Sequence, residues 1–341
     1  MTLYLHHIIA IAATIASQQM SAQFAIEVVK EKPATKVKTI PVAQYSGITH
    51  IEGNTFALVD NGSMKCGFYL MDIELNAKGK VSNVQSKGFF GETAGTMDYE
   101  GIAYNPQQKT LFVSQEADHN IREMNLDGTL TGREIALPDS IGNAMTFNRS
   151  LEALCYDSES GLLWTGTEST LSLDGDATTD TNGKPSIIRL FAFDDSLKQV
   201  KWIRYQTDTP AYTKKTPKFA FGVSAITAVG KNQLLVLERE ARAWTSIPTA
   251  LKSKVINKVY LINVADLKDG EYAEKTKVLE FSTPLKSWAN YEGMTITPRD
   301  ENGECTLIMI SDSENRYKKS AGIFKFSLKD RFKSVKLRIH D

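Results

Sequence analysis

The sequence predicts an all-β propeller, with five four-stranded blades and room for a sixth around a central channel. Three observations predict it. First, one short pattern returns five times: YSGITHIEGNTFALVDN from Tyr45, YEGIAYNPQQKTLFVSQE from Tyr99, SLEALCYDSESGLLWTGTE from Ser150, FGVSAITAVGKNQLLVLERE from Phe221 and YEGMTITPRDENGECTLIMISDSEN from Tyr291. Each copy is two alternating apolar runs joined by a turn rich in Gly, Asn, Pro or Asp, the mark of a β-hairpin. Second, the copies recur at a period of about 50–70 residues, which indicates blades or an array. Third, each hairpin is followed by further strand-like runs, and four strands make a blade.

From the N-terminus, Leu3 to Ile15 is an apolar run of signal-peptide length, too short to cross a bilayer. Ser21-Ala22 offers a small-residue cleavage site, so residues 1–22 are read as a signal peptide and residues 23–341 as a single propeller domain. A cleaved leader implies a secreted or periplasmic protein. Nothing else reaches the roughly 18 apolar residues of a spanning helix, so no membrane span is expected in the mature chain. The stretch Val37–Val42 is expected to close the ring by pairing with the last blade. A sixth blade would need Phe24–Val42 and degenerate stretches to supply it.

Third strands are expected at Phe68–Ile73, Ile121–Leu126, Ile187–Phe193, Lys258–Val264 and Gly322–Leu328. Fourth strands are expected at Val81–Val84, Glu134–Leu137, Lys201–Tyr205, Lys277–Phe281 and Val335–Ile339. Radial closure leaves few open strand edges, and a closed ring needs no second copy, so a monomer is expected. Lys plus Arg and Asp plus Glu each number 40. That balance argues against nucleic acid as a partner, because phosphate-backbone binders carry clustered positive charge. The three cysteines, Cys66, Cys155 and Cys305, cannot all pair within one chain and read as small buried hydrophobes.

Hairpin geometry places the charges. The start of each first strand lies beside the end of the second, and both belong to the innermost pair of a blade. The starts carry Glu100, Glu152 and Glu292, with Ser46 and Ser224 in the other two copies; the ends carry Asp60, Glu116, Glu168, Glu238 and Asp312. These carboxylates are expected at one mouth of the channel. So crowded, they cannot all ionise without compensation. A hard cation such as Ca²⁺ would neutralise them with oxygen ligands, making Asp60, Glu116, Glu168, Glu238 and Asp312 the metal candidates. Arg149, Lys218, Arg239 and Arg316 lie at the same edge and are the candidates for holding an anionic group. Glu100, Glu152 and Glu292 are the candidate catalytic carboxylates, and His119, in a loop beyond the second repeat, is the one histidine placed for acid–base work. The alternative reading is structural: acids at a repeated position can bind backbone N–H groups of the next blade and hold the ring together. Two long insertions, Ser169–Pro185 and Ala241–Asn257, would rise from the same face. The first, with Asp174, Asp176 and Asp180, has a cation-friendly composition.

Other chemistries lack their motifs: the chain has no GxSxG, HExxH or GxxxxGK[ST]. The segments Asn148–Leu154, Phe221–Ile226 with Leu235–Glu240, and Asn290–Met294 with Ser311-Asp312 resemble the phytase-like family, also described as "esterase-like activity of phytase", a group of secreted bacterial β-propellers. The resemblance runs from about Tyr45 onward. It implies hydrolysis of phosphate or related esters and a small anionic ester as substrate. The Asp-Asp-Pro-Ala element of calcium-dependent propeller phytases is absent, so their ligands do not carry over residue by residue. A non-catalytic propeller binding a ligand or partner, and a lactonase-like metal-dependent propeller using Asn61, Asn120 or Asn315, are the alternatives.

Overall fold

The computed structural model describes residues 25–41, 43–62, 65–92, 98–145, 149–244, 249–312 and 331–340. The expected leader and its cleavage site, the strand Gly322–Leu328, and Glu314, Asn315 and Arg316 lie outside them. The described residues form a five-bladed ring, as expected from the repeat. After β1 (Ile26–Glu31) and β2 (Thr35–Lys36), the first blade is β3 (Tyr45–Glu52), β4 (Thr55–Asp60), β5 (Cys66–Leu75) and β6 (Val81–Glu92). The second is β7 (Tyr99–Asn105), β8 (Thr110–Gln115), β9 (Asn120–Asn125) and β10 (Leu130–Ala136). A short helix, α1 (Asp139–Gly142), leads to the third: β11 (Leu151–Asp157), β12 (Leu162–Thr167), β13 (Ile187–Phe193) and β14 (Gln199–Gln206). The fourth is β15 (Lys218–Gly230), β16 (Gln233–Ala243), β17 (Lys254–Asn263) and β18 (Lys275–Pro284). The fifth contains β19 (Asn290–Ile296), β20 (Glu304–Asp312) and β21 (Arg331–Ile339).

Closure differs from the expectation. The outer strand of the fifth blade is β1, which pairs antiparallel with β21 from Ile26↔Ile339 to Glu31↔Val335. Val335–Ile339 therefore belongs to the third strand of its sheet rather than the fourth. Val37–Val42 forms no described strand; Val37 and Ile40 are buried beside Phe332 and Ile310 in the core between blades five and one. An apolar stretch thus seals a seam by packing, while the more polar IEVVKE segment takes the half-exposed outer edge.

Each seam between neighbouring blades holds its own apolar cluster. Tyr45, Tyr99 and Tyr291 are each at most 1% exposed within these seams, and the hydroxyls of Tyr45 and Tyr99 reach Pro41 O and Cys66 Sγ. In blade four that position is filled by Val223. Burial of such rows, at about 25 cal/mol per Å² of apolar surface, is the main force holding blades together. The cysteines are free and buried.

The inner strands β3, β7, β11, β15 and β19 line the channel. Near the start of β3, β7, β11 and β19, and midway along the longer β15, the ladder carries a β-bulge, at Tyr45/Gly47, Tyr99/Ile102, Leu151/Ala153, Tyr291/Gly293 and Val223/Ala225. A bulge re-aims a side chain, and the residues within these irregularities include Ser46, Glu100, Glu152, Ser224 and Glu292. Below them Ile48, Ile102, Leu154, Ile226 and Met294, one per blade and each at most 6% exposed, line the narrow waist of the channel.

Candidate active site at the channel mouth

Above the apolar waist opens a cavity of about 750 Å³. Its walls include Glu100, Glu116, Glu152, Glu168, Glu292 and Asp312. Arg149, Lys218 and Arg239 line it as well, as do Phe219 and Trp288. The structure therefore brings together nine of the site residues expected from the sequence. Arg316 lies outside the described residues.

Three expected residues sit elsewhere, two of them for reasons of register. Tyr45 pairs with Asp60, Tyr99 with Gln115, Leu151 with Thr167, Val223 with Glu238 and Tyr291 with Ser311. The next residue along each second strand is Asn61, Glu116, Glu168, Arg239 or Asp312, and all five line the cavity. Asp60 and Glu238 are one residue early. Because side chains alternate along a strand, they face away from the channel. Asp60 accepts the backbone N–H groups of Gln44 at 2.9 Å and Gly62 at 3.0 Å. Glu238 is buried in the seam with blade three, accepting from Tyr205 Oη and Lys275 Nζ, both at 2.6 Å. His119 occupies a left-handed turn residue, φ 59°, beside Gly142 of α1, and is not among the lining residues.

Arg239 holds the ring position of blade four and is 4% exposed. One of its terminal nitrogens donates to Glu168 of blade three. The other donates to Glu292 Oε1 at 2.5 Å and Asn290 Oδ1 at 3.2 Å on blade five. Burial works against its charge, but Glu168, Glu152 and Glu292 outweigh it and keep the guanidinium firmly protonated. Arg239 is thus a brace across three blades. This part of the ring fits the structural reading of the repeated acids, as does Glu116, whose Oε1 accepts the Ser150 N–H at 3.0 Å from the next blade.

The opposite wall is acidic. Asp98, Glu100 and Glu116 each offer an oxygen, and these atoms lie within 4.8 Å of one another. Burial, then the nearby Glu292, Glu116 and Asp98 carboxylates, push the Glu100 carboxyl well above its usual range, against the Asn61 amide that donates to it at 3.1 Å. Burial and the charges of Asp98 and Glu168 push Glu116 up to about 7, against the Ser150 hydrogen bond. Glu152 is likewise raised, by burial and then by Glu168. Asn61 also carries a buried Oδ1 with no hydrogen-bond partner. Hard oxygen donors at this spacing suit a Ca²⁺ ion, whose ligands sit at 2.3–2.6 Å as a rule.

Asp98 was not foreseen. It precedes the motif tyrosine, outside the apolar run, and its only sequence signal is hairpin pairing: Glu116 N–H donates to Asp98 O at 2.9 Å. The acidic insertion after β12 offers no vacant carboxylate cluster. Asp174 is held by Arg189 at 2.6 Å, Asp176 by Lys184 at 2.5 Å and Asp180 by the Thr216 N–H at 2.5 Å. The second insertion is shorter than expected, because β16 runs to Ala243 and β17 begins at Lys254.

The family model "Phytase-like: Esterase-like activity of phytase" matches residues 40–314. The chain belongs to the phytase-like family. No curated protein matches it. Among solved structures, this phytase-like chain is similar to a streptogramin B lyase at 12% identity, covering 93% of this chain and 98% of that one with a TM-score of 0.33. It is similar to the Cps50 β-propeller domain of Myceliophteria thermophila at 8% identity, covering 89% and 99%, TM-score 0.37. For hydrazine synthase of Kuenenia stuttgartiensis the values are 9% identity, 82% of this chain, 59% of that one and TM-score 0.38. At these values the likenesses carry no argument about chemistry.

Proposed function

We propose that this phytase-like propeller is a calcium-dependent hydrolase of a small phosphate ester or related ester. The observation that supports this reading most is the mixed charge of the mouth: Asp98, Glu100 and Glu116 share one cavity with Arg149 and Lys218, above an apolar waist. Asp98, Glu100 and Glu116 would hold the ion, with Asn61 Oδ1 beside them. A bound Ca²⁺ would supply Lewis-acid polarisation and lower the pKa of a water at the acidic wall. Arg149, whose Nη2 donates to Phe219 O at 3.2 Å, keeps further N–H groups for the anionic end of the ester. Glu152, whose carboxyl burial and then Glu168 push well above the usual range, is placed to move a proton at a leaving oxygen. The apolar waist beneath limits water on that side and strengthens each charge interaction above it.

Among the described residues no helix is long and apolar enough to cross a membrane. Residues 1–22 we read as a cleaved leader, which puts the enzyme outside the cytoplasm; the N-terminal residue of the mature protein tests that.

The experiment is release of inorganic phosphate from a panel of phosphomonoesters, in Ca²⁺ and in EDTA, with calorimetric titration of Ca²⁺ alongside. The expected result is calcium-dependent release that Asp98→Asn and Glu116→Gln abolish and Asp60→Asn leaves intact. Tight Ca²⁺ binding without turnover on any ester would leave a ligand-binding propeller instead. Absence of both would remove the reading altogether.

A further inference from the structure

Two rows of side chains face each other across the seam between blades four and five. On blade four the row is Arg239–Asn257–Phe281, set by the pairings Arg239↔Asn257 and Asn257↔Phe281. On blade five it is Tyr291, Ser311 and Arg331: Tyr291 pairs with Ser311, and Arg331 N donates to Ser311 Oγ at 3.2 Å. The rows interlock, since Phe281 and Tyr291 meet edge to face at 5.5 Å and Lys333, two residues from Arg331, lies over the Phe281 ring at 4.4 Å.

This seam is unusually rich in donors that lack acceptors. Asn257 is fully buried, and neither its Nδ2 nor its Oδ1 has a hydrogen-bond partner. Tyr291 Oη, Arg331 Nε and Arg239 Nε are also buried and unpartnered. Such groups cost about 1–3 kcal/mol each when left unmade, so four on two facing rows call for a common acceptor. The charges point the same way. Arg239 is compensated by Glu168 and Glu292, and Lys333 by Glu31. Arg331, only 6% exposed, has no carboxylate within ion-pair distance among the described residues. A buried, uncompensated guanidinium is strongly unfavourable.

We infer that the seam binds a small monovalent anion, such as a halide, between Arg331 Nε, Tyr291 Oη and Asn257 Nδ2. One positive charge with no carboxylate partner among the described residues matches one negative charge. A multiply charged oxyanion would exceed what Arg331 neutralises. The site lies behind Arg239, on the same row, and so braces the wall of the mouth without forming part of it. The inference is independent of whether the propeller hydrolyses an ester.

The test uses the whole mature protein. Its thermal midpoint is measured in sodium chloride and in sodium gluconate at equal ionic strength, and crystals soaked in bromide are examined for anomalous scattering. The expected result is a rise of about 2–4 °C once chloride is some tenfold above its Kd, growing with the logarithm of chloride concentration beyond that, with a bromide peak at hydrogen-bond distance from Arg331 Nε. Arg331→Met and Asn257→Leu should each abolish the chloride response. Should Arg331→Met not fold, the Asn257→Leu variant and the bromide peak still decide. Equal midpoints in the two salts, or a water at the position with no bromide peak, would overturn the inference.

Discussion

Arg239 of blade four donates to Glu168 of blade three, at a ring position where three other blades place Glu116, Glu168 and Asp312. A cation standing in a ring of acids converts repulsion into a clamp, because the same guanidinium also reaches Glu292 on blade five. Both Arg239 and Glu168 are under 5% exposed, so neither has water to fall back on. Replacing Arg239 by Met should therefore destabilise the fold by about 3–5 kcal/mol, the usual cost of stranding a buried charge. The double variant Arg239→Met with Glu168→Gln should recover part of that loss. Urea denaturation of the two variants checks it, and a single variant as stable as wild type would show that the clamp carries no weight.

The acidic wall makes stability depend on pH in a direction opposite to that of most carboxylates. Glu116 is raised from 4.5 to about 7. Its contribution is fully present below the unfolded pKa and is lost as pH rises through the folded one, since the native state binds the extra proton. Stability should then fall between about pH 4.5 and pH 7 by roughly 3 kcal/mol from this group, and Glu100 and Glu152 shift in the same direction. Glu116→Gln should flatten the profile. Ca²⁺ should raise stability most above pH 7, where Glu116 is ionised, and little at pH 5. Denaturation midpoints across pH, with and without Ca²⁺, measure this; a profile rising from pH 4.5 to 7 would contradict it.

Most of the fold was legible because a five-fold repeat averages over local ambiguity. The β-hairpins, the bulge residues Glu100, Glu152 and Glu292, and the seam tyrosines all stand at fixed offsets in the repeat. Register was less legible. Blade four reads Glu238-Arg239-Glu240, and any of the three could face the channel until the pairing Val223↔Glu238 is known. Closure was hidden for a related reason: Val37–Val42 is more apolar than IEVVKE, but an outer strand needs only a half-buried face. Asp98 went unseen because it precedes the apolar run that defines the strand.

That one-residue difference separates two glutamates that look alike in sequence. Glu238 lies in the seam network with Tyr205, Lys275 and the Asp208 N–H. Glu238→Leu should unfold more easily, by roughly 2–4 kcal/mol, because Lys275 and Tyr205 lose a shared buried acceptor. Its Ca²⁺ affinity should match wild type. Glu116→Gln should do the reverse, keeping the fold and weakening Ca²⁺ at least tenfold. Calorimetric titration and melting curves of both variants separate the roles, and equal effects on Ca²⁺ would mean the register argument misplaces the site.

The small residue after each bulge carries the last prediction. A Cβ on Gly101 would stand 2.6 Å from Leu154 Cβ, 2.8 Å from Ser114 Oγ and 2.9 Å from Glu152 O, so the inner strands of blades two and three meet there without room for a methyl group. Ser114 tightens the contact, accepting the Gly101 N–H at 2.8 Å and donating to Leu151 O at 3.0 Å. Blades three and four carry Ala153 and Ala225 at the matching position, so the crowding is local to each seam rather than imposed by the repeat. Gly101→Ala should cost about 1–3 kcal/mol through strand displacement. Because Gly101 follows Glu100 in the bulge, the same displacement should move that carboxylate and lower Ca²⁺ affinity. Ala153→Gly should leave the Ca²⁺ affinity of the blade-two wall unchanged. A Gly101→Ala protein with wild-type melting and wild-type Ca²⁺ binding would show that the bulge tolerates a wider strand spacing, and that Glu100 is not held in place by this contact.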